Sequence, residues 1–273
     1  MNILEYSSFY FVGIKGVAMT SLAQMLVDSG KKVQGSDVEQ KFVTEDQLIR
    51  LNIAVQPLQT TLPENIDCLV YTAAHQGIYN PQVQQAQSLG IPVFSQAEAL
   101  ASLFNQKKGV AVCGVGGKST TSAMITWILE KMAKNPSYSV GVGSIPGLTA
   151  TGAWRESSEY CVAEADEYVT DPSAPSKGEA ITPRFSFLKP FITVCTNLRY
   201  DHPDVYTSFE HTQEVFLTFF RQNSNDGFLV INADDEPLMA LAQQSGKKII
   251  TFGEKTGADF QLVEYISQEG TTT

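Results

Sequence analysis

A glycine-rich loop that ends in a lysine and a serine has the clearest chemistry in the sequence. It reads Gly-Val-Gly-Gly-Lys-Ser-Thr-Thr over residues 114–121 and follows an apolar run that predicts a β-strand. Glycines let the backbone approach a phosphate closely, while Lys118 can reach the terminal phosphates and Ser119 can bind Mg²⁺. A helix predicted from Thr120 adds N–H groups and the positive end of its dipole. We therefore expect a nucleoside triphosphate site that includes Gly114, Gly116, Gly117, Lys118, Ser119 and Thr120.

Two acidic segments follow other predicted strands and offer ligands for a metal ion. Residues 164–167 read Glu-Ala-Asp-Glu after one apolar run, and residues 196–204 carry His202 between aspartates after another. The carboxyl ends of strands in an open parallel sheet face the ligand crevice, so we expect both segments near the glycine-rich loop. Carboxylates beside a phosphate-binding loop suit Mg²⁺, and Glu164 and His202 are the candidate ligands.

Each of these signals also has a purely structural interpretation. The glycine-rich loop departs from the full phosphate-binding pattern, because Val112 occupies the place of its first glycine, and such a loop can simply open a helix. Taken alone, residues 164–167 can be a solvated acidic turn, and residues 196–204 a polar turn with a capping aspartate. Three polar features after three strands of one unit favour a shared site over three unrelated turns.

A second glycine turn lies between the first predicted strand and the first predicted helix. It reads Gly-Ile-Lys-Gly-Val-Ala-Met from Gly13 and is a degraded form of the dinucleotide-binding turn; a turn that serves only packing is the alternative. Another strand ends at Ser36 and Asp37 about twenty residues later, where an acidic side chain can bind hydroxyl or N–H groups of a nucleotide. We therefore predict a second nucleotide site that includes Gly13, Gly16, Ser36 and Asp37.

Short apolar runs and amphipathic segments alternate along the chain, which predicts parallel sheets with helices on their faces. We expect strands at 9–14, 32–37, 68–72, 91–94, 109–113, 160–163, 191–195 and 227–232, and helices at 19–29, 44–51, 81–89, 120–132 and 209–220. Residues 171–184 predict a loop, and the chain from Asp259 predicts β structure. The fold class is α/β: a Rossmann-like N-terminal domain, residues 1–106, followed by a P-loop-containing central domain, residues 107–273.

The composition limits the classes of partner. The 273 residues carry a formal net charge of −10 and no dense cluster of lysine and arginine, so we expect no nucleic-acid partner. The first residues do not resemble a signal peptide, and no apolar run is long enough to cross a bilayer, so we expect a cytoplasmic protein with no membrane partner. The four cysteines lie in apolar, strand-like runs without a CxxC pair, which predicts buried, reduced thiols.

In order and spacing, these features together resemble the Mur ligase family. The resemblance rests on the turn from Gly13, the Gly-Ser-Asp that ends at Asp37, the loop 114–121, the segments 164–167 and 196–206, and Asn-Ala-Asp-Asp at 232–235. It implies that the first domain binds the UDP part of UDP-N-acetylmuramate and that the central domain binds ATP. Lys118 would contact the phosphates, Ser119 would hold one Mg²⁺, and Glu164 and His202 a second. The implied reaction forms an acyl phosphate from the muramoyl carboxylate, which the amino group of L-alanine then attacks.

Several residues depart from the family pattern. Val115 and Gly116 replace a polar pair in the phosphate loop. Lys15 and Ala18 replace glycines in the first turn, and Lys15 would then supply a charge for the substrate diphosphate. Leu217 stands where some members carry a carbamylated lysine, which favours the alanine-adding branch.

The family resemblance also predicts features beyond this chain. The family's adenine-binding motif and amino-acid-binding C-terminal domain are absent from the sequence, so we expect the chain alone to have little or no ligase activity. Alternatives are a ligase that recycles muramyl peptides, a UDP-sugar-binding or regulatory module with a decayed ATP site, and a generic P-loop phosphotransferase.

Overall fold

Residues 8–95 form a five-stranded parallel sheet with helices on its faces. The computed structural model describes residues 2–59, 61–265, 267, 268, 271 and 272. The strands are β1 (Ser8–Val12), β2 (Lys32–Asp37), β3 (Val55–Pro57), β4 (Cys68–Tyr71) and β5 (Val93–Ser95), in the order β3-β2-β1-β4-β5. The helices are α1 (Val17–Asp28), α2 (Glu45–Arg50), α3 (Pro81–Ser88) and α4 (Gln96–Phe104). Strand β1 is apolar throughout its centre because helices cover both of its faces.

A second sheet is formed by eight strands from the rest of the chain. They are β6 (Lys108–Cys113), β7 (Ser137–Ser139), β8 (Gly152–Ala153), β9 (Tyr160–Glu164), β10 (Ile192–Cys195), β11 (Phe228–Asn232), β12 (Lys248–Gly253) and β13 (Phe260–Gln261). Their order is β13-β12-β11-β10-β6-β9-β7-β8, and only the β7–β8 pair is antiparallel. The helices are α5 (Lys118–Lys131), α6 (Phe209–Arg221) and α7 (Glu236–Gln244). Because β10, β6 and β9 are adjacent and parallel, the segments after them meet at one edge.

Shorter elements complete the fold. Among the described residues, four 3-10 helices span Ile3–Glu5, Gly77–Tyr79, Pro175–Lys177 and Arg184–Phe187, and β14 (Ser267–Gln268) pairs with β15 (Thr271–Thr272) in antiparallel fashion. The described part of the chain has no helix that combines the length and the apolar character needed to cross a bilayer.

We call the part of the chain that forms the first sheet the first unit, and the part that forms the second sheet the second, or central, unit. Helix α1 of the first unit packs directly on β7 and β8 of the second unit. A Cβ atom on Gly152 would lie 2.1 Å from the carbonyl oxygen of Ser21, so glycine is needed where the two backbones meet. The hydroxyl groups of Ser21 and Ser139 form a hydrogen bond of 2.6 Å, and the N–H group of Trp154 donates to Asp28 at 3.0 Å. These contacts fix the two sheets relative to each other and create a cleft between them.

The α/β fold with parallel sheets is confirmed, whereas several element boundaries are corrected. Helices α1 and α5 begin two residues earlier than expected, so Lys118 and Ser119 belong to the first turn of α5. The expected loop at 171–184 contains the 3-10 turn Pro175–Lys177, which ends at Gly178 in the left-handed conformation. Prolines and glycines break regular structure but also start short turns.

Other elements were not predicted from the sequence: β3, α4, β7, β8, α7 and β12. Strands β3, β7 and β8, with two or three residues each, are too short to show a periodic pattern. Helix α4 begins immediately after β5, where a Ser95–Glu98 capping box starts it without an intervening loop. The β structure expected from Asp259 is present in β13, while Ile266, Glu269, Gly270 and Thr273 lie outside the described residues.

The four cysteines, Cys68, Cys113, Cys161 and Cys195, are buried free thiols, as expected. Burial raises the pKa of Cys68 and of Cys161 to about 12, so both thiols stay protonated.

Candidate active site

The glycine-rich loop is held in shape by the segment after the neighbouring strand β10. Gly114 has φ +117° and Gly117 has φ +82°, and a Cβ atom on Gly114 would lie 2.3 Å from Thr196 Oγ1. Thr196 Oγ1 and Asn197 Nδ2 donate to the carbonyl oxygen of Gly116 at 2.6 and 2.9 Å. Asn197 Oδ1 accepts from the N–H group of Gly116 at 3.1 Å. The Thr-Asn pair therefore buttresses a loop conformation that glycine makes accessible.

The ammonium group of Lys118 folds back onto this loop. It donates to the carbonyl oxygen of Gly114 at 2.9 Å and to both carboxylate oxygens of Glu167, at 3.1 and 3.0 Å. The side chain of Glu167 is 2% exposed, and its backbone oxygen accepts a hydrogen bond from the hydroxyl group of Tyr206. The predicted phosphate lysine thus has a buried carboxylate as its direct partner.

Glu164, the last residue of β9, lies beside Ser119. Ser119 Oγ donates to Glu164 Oε2 at 3.1 Å, and the N–H group of Gly141 donates to Oε1 at 2.8 Å. Burial raises the pKa of Glu164 above its ordinary value of 4.5, although the hydrogen bonds from Gly141 and Ser119 and the charge of Lys118 act in the opposite direction. A hydroxyl and a carboxylate oxygen at this spacing are donors of the kind that Mg²⁺ prefers.

His202 lies with Glu167 and Asp201. Its Nε2 atom is 3.4 Å from Glu167 Oε1 and 3.7 Å from Asp201 Oδ2, and one ligand atom from each of the three residues falls within 4.8 Å of the others. His202 has φ +58°, and its N–H group donates to Asp201 Oδ1 at 2.8 Å. Glu164 and His202 were predicted to bind the same Mg²⁺. In this conformation they have different partners, because Glu164 contacts Ser119 whereas His202 contacts Glu167.

Lys15, in the glycine turn of the first unit, makes its hydrogen bonds with other groups of the protein. Its ammonium group donates to the carbonyl oxygens of Val38 and Gln40, at 3.0 and 2.9 Å, and to Glu45 Oε1 at 3.0 Å. The residue is only 8% exposed. An ammonium group has three N–H donors, and all three are directed at protein acceptors. The geometry therefore gives no support to the expected role of Lys15 as a charge for a diphosphate.

Ser36 and Asp37 are also buried and hydrogen-bonded. Ser36 Oγ donates to Gln82 Oε1 at 2.6 Å. Asp37 accepts from the N–H group of Lys15 at 2.7 Å, and its other oxygen lies 3.5 Å from His75 Nε2. Gly13 has φ +83°, and a Cβ atom there would lie 2.4 Å from Thr72 Cγ2. These residues shape the turn that leads to Gly16, the N-cap of α1.

Two adjoining cavities run between the units. One, of about 200 Å³, is lined by Gly16, Val17 and Ala18 at the start of α1, and by Arg184. The other, of about 190 Å³, shares Ala18 and Arg184 with it and reaches Lys118 and Glu164. Among the described residues, no side chain caps the start of α1. The cavities therefore connect a helix N-terminus, which favours anions, with the glycine-rich loop.

Sequence reasoning placed Glu167 and the Thr196–Asn197 pair within candidate site segments without singling them out, and it missed Arg184 as a site residue. Glu167 was visible as the second glutamate of the acidic segment, but spacing alone does not show which acid of the segment turns inward. Arg184 lies at the end of the predicted loop and pairs with Asp166 at 2.6 Å. The signal available in the sequence for the Arg184–Asp166 pair was an arginine that follows Asp166 of the acidic segment 18 residues later.

A glycine loop that is buttressed by the segment after β10 and follows a Rossmann-like unit is an α/β arrangement of the kind found in nucleotide-binding proteins. Residues 8–108 match the family described as Mur ligase family, catalytic domain, and residues 112–273 match the Mur ligase middle domain. The chain is 35% identical over 272 residues to UDP-N-acetylmuramate–L-alanine ligase of Carboxydothermus hydrogenoformans, an alignment that covers 98% of this chain and 54% of that protein. The chain belongs to the Mur ligase family, which confirms the resemblance seen in the sequence.

Solved structures agree with this assignment. UDP-N-acetylmuramate–alanine ligase MurC of Thermotoga maritima superimposes with a TM-score of 0.73 and 25% identity, over 92% of this chain and 53% of that chain. UDP-N-acetylmuramate:L-alanyl-gamma-D-glutamyl-meso-diaminopimelate ligase of Neisseria meningitides shares the fold, with a TM-score of 0.77 at 23% identity over 90% of this chain and 78% of that chain. The chain spans about half the length of the curated relatives it matches.

Proposed function

We propose that this chain carries the UDP-sugar-binding and ATP-binding parts of an enzyme that joins L-alanine to UDP-N-acetylmuramate in peptidoglycan precursor synthesis. The main support is the pair of adjoining cavities that lead from the uncapped start of α1 to Lys118. A substrate with a diphosphate at one end and a carboxylate at the other fits such a path. Similarity to alanine-adding ligases over nearly the whole chain supports the choice of substrate.

The first unit, residues 1–106, would bind the UDP sugar. The N–H groups at the start of α1 favour a diphosphate because of their partial positive charge. Gly13, Gly16, Ser36 and Asp37 shape the turn that presents these groups. Lys15 would act indirectly, because it holds the segment 38–45 against the turn.

The central unit, residues 107–273, would bind ATP and Mg²⁺. Gly114, Gly116, Gly117 and Thr120 would line the phosphates, and Lys118 would contact them after leaving Glu167. The donor set fits Mg²⁺, since the hydroxyl group of Ser119 and the carboxylate of Glu164 are oxygen ligands 3.1 Å apart. His202 would hold a second ion. Mg²⁺ at these positions would neutralise the charge of the phosphates.

The chain's residues would bring two anions together. The muramoyl carboxylate would attack the γ-phosphorus of ATP, which forms an acyl phosphate and releases ADP. The amino nitrogen of L-alanine would then attack the acyl carbon, which forms the amide, loses a proton and releases phosphate. Lys118 and the loop N–H groups would offset the repulsion between carboxylate and phosphate and hold them in line.

We further propose that residues 1–273 bind substrates without completing the ligation by themselves, because the alanine ligases they match are about twice as long. The chain would be incubated with ATP, Mg²⁺, L-alanine and UDP-N-acetylmuramate, and the amide product measured by mass spectrometry. We expect no product above the level of a protein-free control. Clear amide formation would contradict this part of the proposal.

Calorimetric titration tests the assignment of the two units. UDP-N-acetylmuramate is titrated first and Mg·ATP second, and we expect heat of binding in both steps. Binding of the UDP sugar without Mg·ATP would favour a UDP-sugar-binding module with a decayed ATP site. Absence of UDP-sugar binding would contradict the role proposed for the first unit.

A further inference from the structure

We propose that Glu167 exchanges one cation for another. It holds the ammonium group of Lys118 while the phosphate loop is free, and it binds a divalent cation together with His202 and Asp201 once Lys118 turns to a phosphate. The proposal rests on the proposed function only for the event that moves Lys118. The exchange itself involves only the side chains of Glu167, Lys118, His202 and Asp201.

The hydrogen-bonding capacity of Lys118 is exhausted in the observed conformation. Its three N–H donors match three acceptors: the carbonyl oxygen of Gly114 and the two carboxylate oxygens of Glu167, all within 3.1 Å. A phosphate oxygen can be contacted only if the ammonium group gives up at least one of these acceptors. Because two of the three acceptors are oxygens of Glu167, a phosphate competes directly with that carboxylate for the ammonium group.

Departure of Lys118 leaves Glu167 as a buried charge that needs another cation. Its side chain is 2% exposed, and a buried carboxylate without a positive partner is strongly destabilising. Two arginines of the central unit have carboxylate partners of their own, since Arg184 pairs with Asp166 and Arg199 with Asp235, each at 2.6 Å. A divalent cation from solution, held together with His202, can compensate the charge of Glu167.

The residues around Glu167 can receive such a cation. Carboxylate oxygens of Glu167 and Asp201 and the Nε2 atom of His202 lie within 4.8 Å of one another. Two ligands about 2.1 Å from one ion lie at most about 4.2 Å apart. His202 Nε2 is within that limit of both carboxylates, at 3.4 Å from Glu167 Oε1 and 3.7 Å from Asp201 Oδ2. The two carboxylates suit Mn²⁺ and Mg²⁺, and the imidazole nitrogen favours a first-row transition metal, so Mn²⁺ is a suitable probe of the group. The aromatic ring of Tyr168 lies against the imidazole of His202, with ring centroids 4.7 Å apart, and helps to hold it at the edge of the group.

The exchange predicts that removal of the ammonium group creates a metal site in the absence of nucleotide. Mn²⁺ is titrated alone into wild type and Lys118→Met, and free Mn²⁺ is measured by electron paramagnetic resonance. We expect Lys118→Met to bind Mn²⁺ about tenfold or more tightly than wild type, because a competing charge has been removed. Adding Glu167→Gln to Lys118→Met should abolish the gain.

Lys108→Met is the matched control, because it removes the ammonium group of an exposed pair, Lys108–Glu159, with a similar distance of 2.8 Å. It should leave Mn²⁺ affinity unchanged. Equal Mn²⁺ affinity in wild type and Lys118→Met would overturn the proposal. A gain that persists after Glu167→Gln would overturn it as well.

The wild-type chain offers a second test that needs no folded variant. Lys118 and Lys108 are acetylated with a limiting amount of acetic anhydride, and the sites are quantified by mass spectrometry. Millimolar Mn²⁺ should raise the labelling of Lys118 several-fold relative to Lys108, because the metal displaces the ammonium group from Glu167. An unchanged ratio would contradict the exchange. Neither test uses ATP or a UDP sugar, so failure here leaves the proposed function to its own titrations.

Discussion

The two glycine turns of this chain share a pattern, but their lysines have different surroundings. Each turn comes after a strand, opens a helix and carries a lysine. Lys15 is 8% exposed and donates to three acceptors of the segment 38–45. Lys118 donates to its own loop and to Glu167, and it lines the cavity between the units. One lysine stabilises the fold, whereas the other borders the space where a ligand would bind.

The difference arises from the path of the chain after the neighbouring strand. After β10, Thr196 and Asn197 hold the glycine-rich loop by its backbone and leave its lysine at the cleft. After β2, the chain passes across Lys15 and surrounds its ammonium group with carbonyl oxygens and Glu45. A lysine in a glycine turn is therefore a ligand-binding group only where the adjacent segment leaves it beside a cavity.

Substitution of the two lysines should give the strongest contrast between the turns. Lys118→Met should weaken Mg·ATP binding by about 100-fold or more, because a positive group directed at the phosphates is lost. Lys15→Met should leave Mg·ATP affinity nearly unchanged and lower the free energy of unfolding by about 2–3 kcal/mol, because Glu45 and two carbonyl groups lose their donor. Calorimetry and urea unfolding measure the two effects. Equal losses of ATP affinity would remove the distinction between the turns.

Glu164 should give a smaller effect with a characteristic pH dependence. Glu164→Gln should weaken Mg²⁺ binding in the presence of ATP about tenfold. Because burial raises the pKa of Glu164 above 4.5 in the folded chain, the carboxylate takes up its proton at a higher pH than an ordinary glutamate. On acidification, the Mg²⁺ affinity of wild type should therefore begin to fall at a higher pH than it would with a glutamate of ordinary pKa. Glu164→Gln should lack this pH-dependent loss of affinity.

The raised pKa of Glu164 also makes the stability of the fold depend on pH. In the ligand-free chain, the fold favours the protonated form of Glu164, so its favourable contribution is present at low pH and is lost as the pH rises through the folded-state pKa. Urea unfolding between pH 4 and 8 should show this decline in wild type relative to Glu164→Gln. Asp37→Asn, at the end of β2 beside the first turn, is the control for metal binding and should leave Mg²⁺ affinity unchanged.

The weakest contrast concerns two threonines that donate to the backbone of the two turns. Thr196→Val removes the hydroxyl group that donates to Gly116 and should weaken Mg·ATP binding about fivefold. Thr20→Val removes a buried hydrogen bond of 2.8 Å to the carbonyl oxygen of Ile14 and should lower the free energy of unfolding by about 1 kcal/mol without changing ATP affinity. If Thr20→Val weakened ATP binding as much as Thr196→Val, the first turn would not be independent of the ATP site.

The two turns also differ in how much of their role is predictable from the sequence. Strand, glycine loop and helix are consecutive in the sequence, so the loop 114–121 and the parallel fold are predictable from local pattern. The surroundings of Lys15 depend on where residues 38–45 lie, and the pairing of Lys118 depends on which acid of 164–167 points inward. Both are tertiary properties, which explains why Glu167 was not singled out and why Lys15 was assigned to a ligand.

Lysine labelling with and without nucleotide compares both turns in a single measurement on the unaltered chain. The wild-type chain is acetylated at limiting reagent in the absence and presence of saturating Mg·ATP, and the extent at Lys15, Lys108 and Lys118 is read by mass spectrometry. We expect Mg·ATP to protect Lys118 and to leave Lys108 unchanged, while Lys15 is poorly labelled in both conditions. Protection of Lys15, or an unprotected Lys118 in a chain that has bound Mg·ATP, would contradict the different roles assigned to the two lysines.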